Sequence, residues 1–380
     1  MDFDLTPEQH RRLEEIETAV RERLGSETPS TPDDHFTRER WRIAADIGLT
    51  GLCLPERHGG GGLGALDTAL ALERFGKACP DTGLVFGVAA HLLACGVAVR
   101  DFASPEVADT LLPGLCDGEL IAANAITEDE AGSDVGALST KAVADGDTYR
   151  LTGAKSFSSN APLADVLVVY AVTDPAAGFL GTSGFVVPRN TPGLSVGLRL
   201  AKAGLHGCPA GRVTLDDCAV PSRFLLGEPG QGSMIFQHSM GWERSCLFAV
   251  YLGLMERQLR RCVRHARTRR QFGRRIGDNQ AVSHAVADMR RRLESARLLL
   301  YRACWSLDAG RDHTTASSLA KVAVSEAAIA NSLTAVQLFG ATGYLAEHGV
   351  EAALRDSLPS TVFSGTNEIH RGIIARGMGL

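Results

Sequence analysis

The feature that most restricts the fold is a change of texture that happens twice along the chain. Up to about Gly118 the sequence reads as helix. Thr6-Pro7-Glu8-Gln9 supplies an N-cap, a proline in the first turn and an acidic residue beside it. A break at Gly59-Gly60-Gly61-Gly62 precedes another helix running through 71–76. From about Glu119 to Gly227, short β-rich runs at 166–170 and 184–187 alternate with Gly, Pro, Asn and Asp turn signals. After Gly227-Glu228-Pro229-Gly230 helices return and lengthen. Val282, Val286, Met289, Leu293, Ala296, Leu300 and Ala303 recur four and three residues apart, one face of a bundle helix. An Ala-rich stretch at 316–342 predicts a second long helix. The expected class is α+β, with units at 1–119, 120–227 and 228–380.

Composition narrows the function. A chain of 380 residues with 44% apolar residues can fill sizeable cores. A formal charge of -5 gives no basis for binding nucleic acid or a membrane surface. Met1-Asp2-Phe3-Asp4 is acidic and lacks a basic-then-apolar leader, and no uninterrupted apolar run reaches the ~18 residues of a spanning helix. The nine cysteines are odd in number and scattered, without CxxC or metal-ligand spacing. Reduced buried thiols, no metal and a cytoplasmic location are therefore expected.

Three short segments bear on chemistry. In 127–134, Thr127 and Ser133 offer hydroxyls, and small residues such as Gly132 admit close approach to backbone N–H groups, which suits anionic oxygens. An ordinary polar loop would look the same. Arg270-Gln271-Phe272-Gly273 follows a basic helix, and Ser364-Gly365-Thr366-Asn367-Glu368-Ile369 stands just before Ile373-Ile374-Ala375-Arg376. Together these segments resemble the acyl-CoA dehydrogenase superfamily over essentially the whole chain.

The resemblance implies an N-terminal helical domain, a middle β-barrel-like domain and a C-terminal four-helix bundle, with FAD between the last two. Gly153-Ala154-Lys155-Ser156-Phe157-Ser158-Ser159-Asn160 looks like the segment that lays an aromatic along the isoalloxazine and a hydroxyl at its reactive edge, here Phe157 and Ser159. Arg269, Gln271 and Phe272 match the segment that reaches the diphosphate and adenine of a neighbouring subunit's flavin. Gln337, Gly340, Thr366 and Glu368 match further contacts to the same cofactor. The family's Gly-Gly has become Gly340-Ala341 here, and Glu368 stands where an amide is common. A site shared between chains implies a homo-oligomer, a tetramer or dimer.

Many members carry a catalytic glutamate just before the C-terminal Gly-Thr, where this chain has Ser364. The backbone N–H at that position, an oxyanion donor in the family, is kept. Glu243, in Ser239-Met240-Gly241-Trp242-Glu243-Arg244, matches the alternative position of the base in other members. Read without that context, it is a glutamate in a helix's first turn, complementing the macrodipole. Arg244 would orient the carboxylate, hold the acyl carrier's phosphate, or lie at a surface or interface.

Phrases such as Pro359-Ser360-Thr361-Val362-Phe363-Ser364 and Leu300-Tyr301-Arg302-Ala303-Cys304-Trp305 are similar to prolyl-carrier-protein dehydrogenases. That implies oxidation of L-prolyl to pyrrole-2-carboxyl on a phosphopantetheinyl carrier protein, with oxygen or an electron-transfer flavoprotein as acceptor. A short- or branched-chain acyl-CoA dehydrogenase, a flavin monooxygenase on the same fold, and a non-catalytic flavin protein are the alternatives. Arg257, Arg260, Arg261, Arg264, Arg267 and Arg274 would meet an acidic carrier, or form a solvated face or subunit contact.

Overall fold

The structure is a computed structural model that describes residues 4–25 and 36–380. Met1 to Phe3, part of the segment read above for a leader, lie outside the described residues. Helix α1 (Pro7–Leu24) starts with a reciprocal capping box between Thr6 and Gln9. It packs, with α2 (Arg38–Asp46), beside α3 (Ala65–Ala78). Next come α4 (Thr82–Ala90) and α5 (Val97–Phe102), which a π-helical turn at His91–Gly96 joins into one helix, and then α6 (Pro105–Cys116). The α4–α5 run is apolar and long enough to cross a bilayer, yet 94% of its apolar window is buried within the protein. It is a core helix, a case the search for uninterrupted apolar residues passes over because His91 divides it.

The middle segment is one sheet of eight strands. They are β1 (Ala122–Ala125), β2 (Lys141–Asp145), β3 (Thr148–Ser159), β4 (Val166–Val172), β5 (Thr182–Pro188), β6 (Leu194–Val196), β7 (Ala210–Pro221) and β8 (Leu225–Leu226). The order is β6-β7-β3-β2-β4-β5-β8, with β1 pairing in parallel to β4. Strand β4 is buried almost throughout, and its side chains alternate between two cores. Val166, Val168 and Tyr170 join the helical core, while Leu167, Val169 and Ala171 fill the sheet's own.

Helices resume at α7 (Gly232–Trp242), run through a second π turn at Glu243–Leu247, and continue as α8 (Ala249–Thr268). A small hairpin of β9 (Arg270–Gln271) and β10 (Arg274–Arg275) leads to α9 (Gln280–Asp308) and α10 (Thr314–Phe339). Short α11 (Ala341–Tyr344), α12 (Val350–Ser357) and α13 (Asn367–Gly377) close the chain against α10. In α9 the predicted face packs as expected, with Met289, Leu293, Ala296, Leu300 and Ala303 buried. All nine cysteines are free and buried, and burial pushes the Cys53 thiol up to about 12.

Candidate active site

The two π turns are neighbours in space, and Glu243 opens the second. Single π turns frequently occur at functional positions because the extra residue re-aims the side chains around it. Glu243 therefore does not begin a helix, as the sequence suggested; it follows the last residue of α7 inside a continuous helical run. A first-turn macrodipole cannot stabilise its charge. Its side chain is buried, and desolvation raises its pKa, opposed by a hydrogen bond from Ser364 and the charge of Arg244.

Ser364 reaches Glu243 across 121 positions of sequence: its Oγ donates to the carboxylate Oε1. The segment that delivers it is tightly built. Phe363 packs its ring at 4.8 Å from Phe86, 5.4 Å from Phe248 and 6.2 Å from Tyr251. Ser364 adopts φ 57 and Gly365 φ 91, so the chain turns sharply before α13. The Ser364 carbonyl accepts from Arg244 Nε at 3.1 Å and from His370 Nε2 at 3.0 Å. His370 Nδ1 meets Ser318 Oγ at 3.0 Å, and burial lowers the His370 pKa to about 4, so the ring is neutral. The Ser364 N–H takes no partner among the described residues.

Arg244 is half-buried and makes no hydrogen bond to the carboxylate among the described residues. It clamps the Ser364 carbonyl and reaches Gln237 Oε1 at 3.4 Å. Sequence reasoning missed His370, the aromatic cluster and the Ser364 hydroxyl. Only His370 left a signal, six residues beyond Ser364.

The other expected site residues fall into two groups. Thr127, Gly132 and Ser133 lie on the loop after β1, and Phe157 and Ser159 at the C-terminal end of β3, an interior strand of the sheet. Here Lys155 and Glu128, both buried, form an ion pair at 2.7 Å, and Glu128 also accepts from Ser139 N at 2.7 Å and Thr140 N at 3.0 Å. Although burial opposes ionisation, these bonds hold Glu128 down to about 2; burial lowers Lys155 to about 8. The loop carrying Thr127 is thereby fixed to β3, reinforced by Ser156 N donating to Thr127 O at 2.7 Å. Next to it, a bulge between Lys155 and Ser158 turns Phe157 outward at φ 57, leaving its ring 67% exposed.

Arg269, Gln271 and Phe272 lie on the β9–β10 hairpin at the far end of α8. Phe272 is wholly exposed, again at positive φ. Gln337 and Gly340 end α10, while Thr366 caps α13 and Glu368 stands exposed in its first turn. Gly340 adopts φ 61 and ψ -137, open only to glycine, whereas Ala341 is helical and needs no glycine. The departure from Gly-Gly therefore costs the backbone nothing here. Two outward aromatic rings on strained backbone, a braced small-residue loop and an unburied arginine suit a flat ring system joined by a diphosphate to an adenine.

The arginines of α8 largely serve the chain itself. Arg257 donates to the Gly76 and Cys79 carbonyls, Arg260 to Glu256 at 3.0 Å and Arg261 to the His348 carbonyl at 2.7 Å.

Helices, one sheet and helices again, with a buried carboxylate beside a C-terminal turn, define a flavin-dependent dehydrogenase of the thioester-oxidising class. The family profiles for the N-terminal, middle and C-terminal domains of acyl-CoA dehydrogenase match residues 6–119, 123–218 and 230–379, and the chain belongs to the acyl-CoA dehydrogenase family. It is 51% identical over 382 residues to the L-prolyl-peptidyl-carrier protein dehydrogenase of Pseudomonas fluorescens, covering 100% of both chains. Among solved structures it is similar to the FAD complex of PigA, with TM-score 0.97, 40% identity and 100% of both chains covered. The prolyl acyl carrier protein oxidase AnaB has TM-score 0.97 and 36% identity, with 99% of this chain and 100% of that one covered.

Proposed function

We propose that the protein oxidises an L-prolyl group, held as a thioester on a phosphopantetheinylated carrier protein, toward the pyrrole-2-carboxyl thioester. The observation that carries the reading is the buried Glu243 carboxylate, on the π turn after α7, joined to the hydroxyl of Ser364. The cofactor is FAD, which when bound accepts the hydride leaving the β-carbon. Glu243 removes the α-proton; its dry surroundings and raised pKa bring the carboxylate closer to the acidity a base needs near neutral pH. Ser364 retains an N–H for the thioester carbonyl as negative charge develops on its oxygen, and the Arg244–His370 clamp fixes that group.

Thr127, Gly132, Ser133, Phe157 and Ser159 would hold the flavin ring and nearby phosphate. Arg269, Gln271 and Phe272 would serve the adenine end from a second subunit, and Gln337, Gly340, Thr366 and Glu368 would make further contacts to the same cofactor. The exposed hairpin supports that division, and with it a homotetramer or dimer. Proline thioester to pyrrole thioester requires two successive two-electron oxidations. The test is anaerobic stopped-flow of the oxidised-flavin band with L-prolyl-carrier protein and, separately, short acyl-CoAs. Rapid bleaching with the prolyl carrier alone, with pyrrolyl carrier identified by mass under air, is the expected result. Bleaching by acyl-CoAs instead would return the protein to ordinary acyl-CoA oxidation.

A further inference from the structure

A cleft of about 410 Å³ opens between the sheet and α7. Its buried wall includes Ile126, Tyr170 and Phe236, and the exposed Gln237, the residue bonded to Arg244, lines it as well. Its outer wall includes Phe179 and Ser233. The cleft therefore runs along α7 toward Glu243. From Ser233 to Glu243 the helical rise spans roughly 15 Å. A phosphopantetheine arm, comparable to ~5 extended residues, reaches roughly 17 Å. A thioester at Glu243 thus leaves its carrier at Phe179 and Ser233.

The chemistry of this mouth is one-sided. The one charged residue lining the cleft, among those described, is Asp134, whose carboxylate accepts from Gly136 N at 3.2 Å. No lysine or arginine lines it. Coenzyme A would bring a diphosphate and a 3′-phosphate to this point, groups that proteins hold with cationic side chains. Phe179 is instead 61% exposed, Leu180 beside it 64%, and Met234 on the first turn of α7 46%.

These side chains stand on a braced rim. Thr173 N donates to Gly181 O at 2.8 Å, Leu180 N to Ala177 O at 3.1 Å, and Gly230 N to Ser183 Oγ at 2.9 Å. A Cβ on Gly230 would lie 2.4 Å from the Leu180 carbonyl, so only glycine lets the two sides of the rim meet. Grouped, preorganised apolar side chains beside a channel mouth are what a protein partner buries.

We propose that Phe179, Leu180 and Met234 form the docking patch for the carrier protein, and that this patch selects a carrier-borne thioester over the coenzyme A thioester of the same acyl group. The proposal rests on the carrier-protein reading above. The partner this patch fits is one with apolar side chains around its phosphopantetheine attachment.

The test uses the FAD-loaded protein and three thioesters of one acyl group: L-prolyl-carrier protein, L-prolyl-CoA and L-prolyl-pantetheine. The variant is Leu180→Ser with Met234→Ser, since neither residue lines the cleft. Its KM for the carrier substrate should rise by ~10-fold or more, the scale of removing two interface side chains. Flavin content, melting temperature and the reaction with prolyl-pantetheine should stay as in the parent. An unchanged carrier KM, or an equal loss with prolyl-pantetheine, overturns the docking patch. Equal efficiency of the parent with prolyl-CoA and prolyl-carrier overturns the selection. A parent bleached by none of the three overturns the functional reading itself.

Discussion

Replacing Glu243 by glutamine tests the centre of the mechanism, because the structure predicts opposite effects on rate and on stability. The amide matches the carboxylate in size, and its oxygen still accepts from Ser364 Oγ, so packing at the π turn is retained. What is lost is the proton acceptor. General-base removal costs ~10²–10⁴-fold, and in a water-poor site the upper half of that range applies, about 4 kcal/mol or more of barrier. For stability the sign is reversed. Burial raises the Glu243 pKa, so the native protein binds this proton more tightly than the unfolded chain does. Its contribution is fully present below the unfolded carboxylate's pKa and declines as pH rises through the higher native value. Wherever Glu243 is ionised in the native protein it is therefore a cost that glutamine removes. The assay pairs anaerobic flavin reduction with melting temperature at pH 8: the expected variant keeps its FAD, reduces ~10³-fold more slowly and melts no lower than the parent. A reduction rate within about tenfold of the parent would refute Glu243 as the base. A parallel loss of FAD and melting temperature would make it a structural residue.

Other variants probe the groups around it. Ser364→Ala keeps the N–H but removes a bond that lowers the Glu243 pKa, so the rising limb of the pH–rate profile should move to higher pH while the high-pH plateau stays within about tenfold; an unmoved limb would refute that coupling. His370→Ala deletes the bonds to the Ser364 carbonyl and Ser318, and should cost about 1–3 kcal/mol in denaturant unfolding, with slower flavin reduction at normal FAD content. Burial lowers both His91 and His370 to about 4, so stability should fall as pH drops from ~6.5 toward 4. His370→Gln should flatten that decline in acid titrations followed by circular dichroism. Glu128→Gln strands the buried Lys155 ammonium and should destabilise the protein by about 3–5 kcal/mol, with FAD lost from the purified protein.

Much of the frame was legible because it rests on local rules. The Thr6 N-cap, the buried face of α9 and the short β-rich runs of the sheet follow from periodicity and turn chemistry, which a few neighbouring residues decide. The glutamate proposed as the base could also be named from the sequence, since Ser364 and Glu243 can be compared position by position with a pattern. Its environment was not. Glu243 looked like the first turn of a helix, whereas it lies in a π turn packed against the one at His91–Gly96, within a helical run that begins at Gly232. The function of Arg244 depended on a carbonyl 120 residues away.

By itself, the sequence determined that helices flank a sheet, that the cysteines are structural, and which acidic residue was available as a base. Tertiary structure alone decided that this residue is buried, that a serine hydroxyl bonds it while a neutral histidine holds that serine's carbonyl, and that exposed apolar side chains stand beside a cleft along α7. The division has a physical cause. Secondary structure answers to spacing along the chain, whereas desolvation and hydrogen bonding depend on groups that only folding brings together.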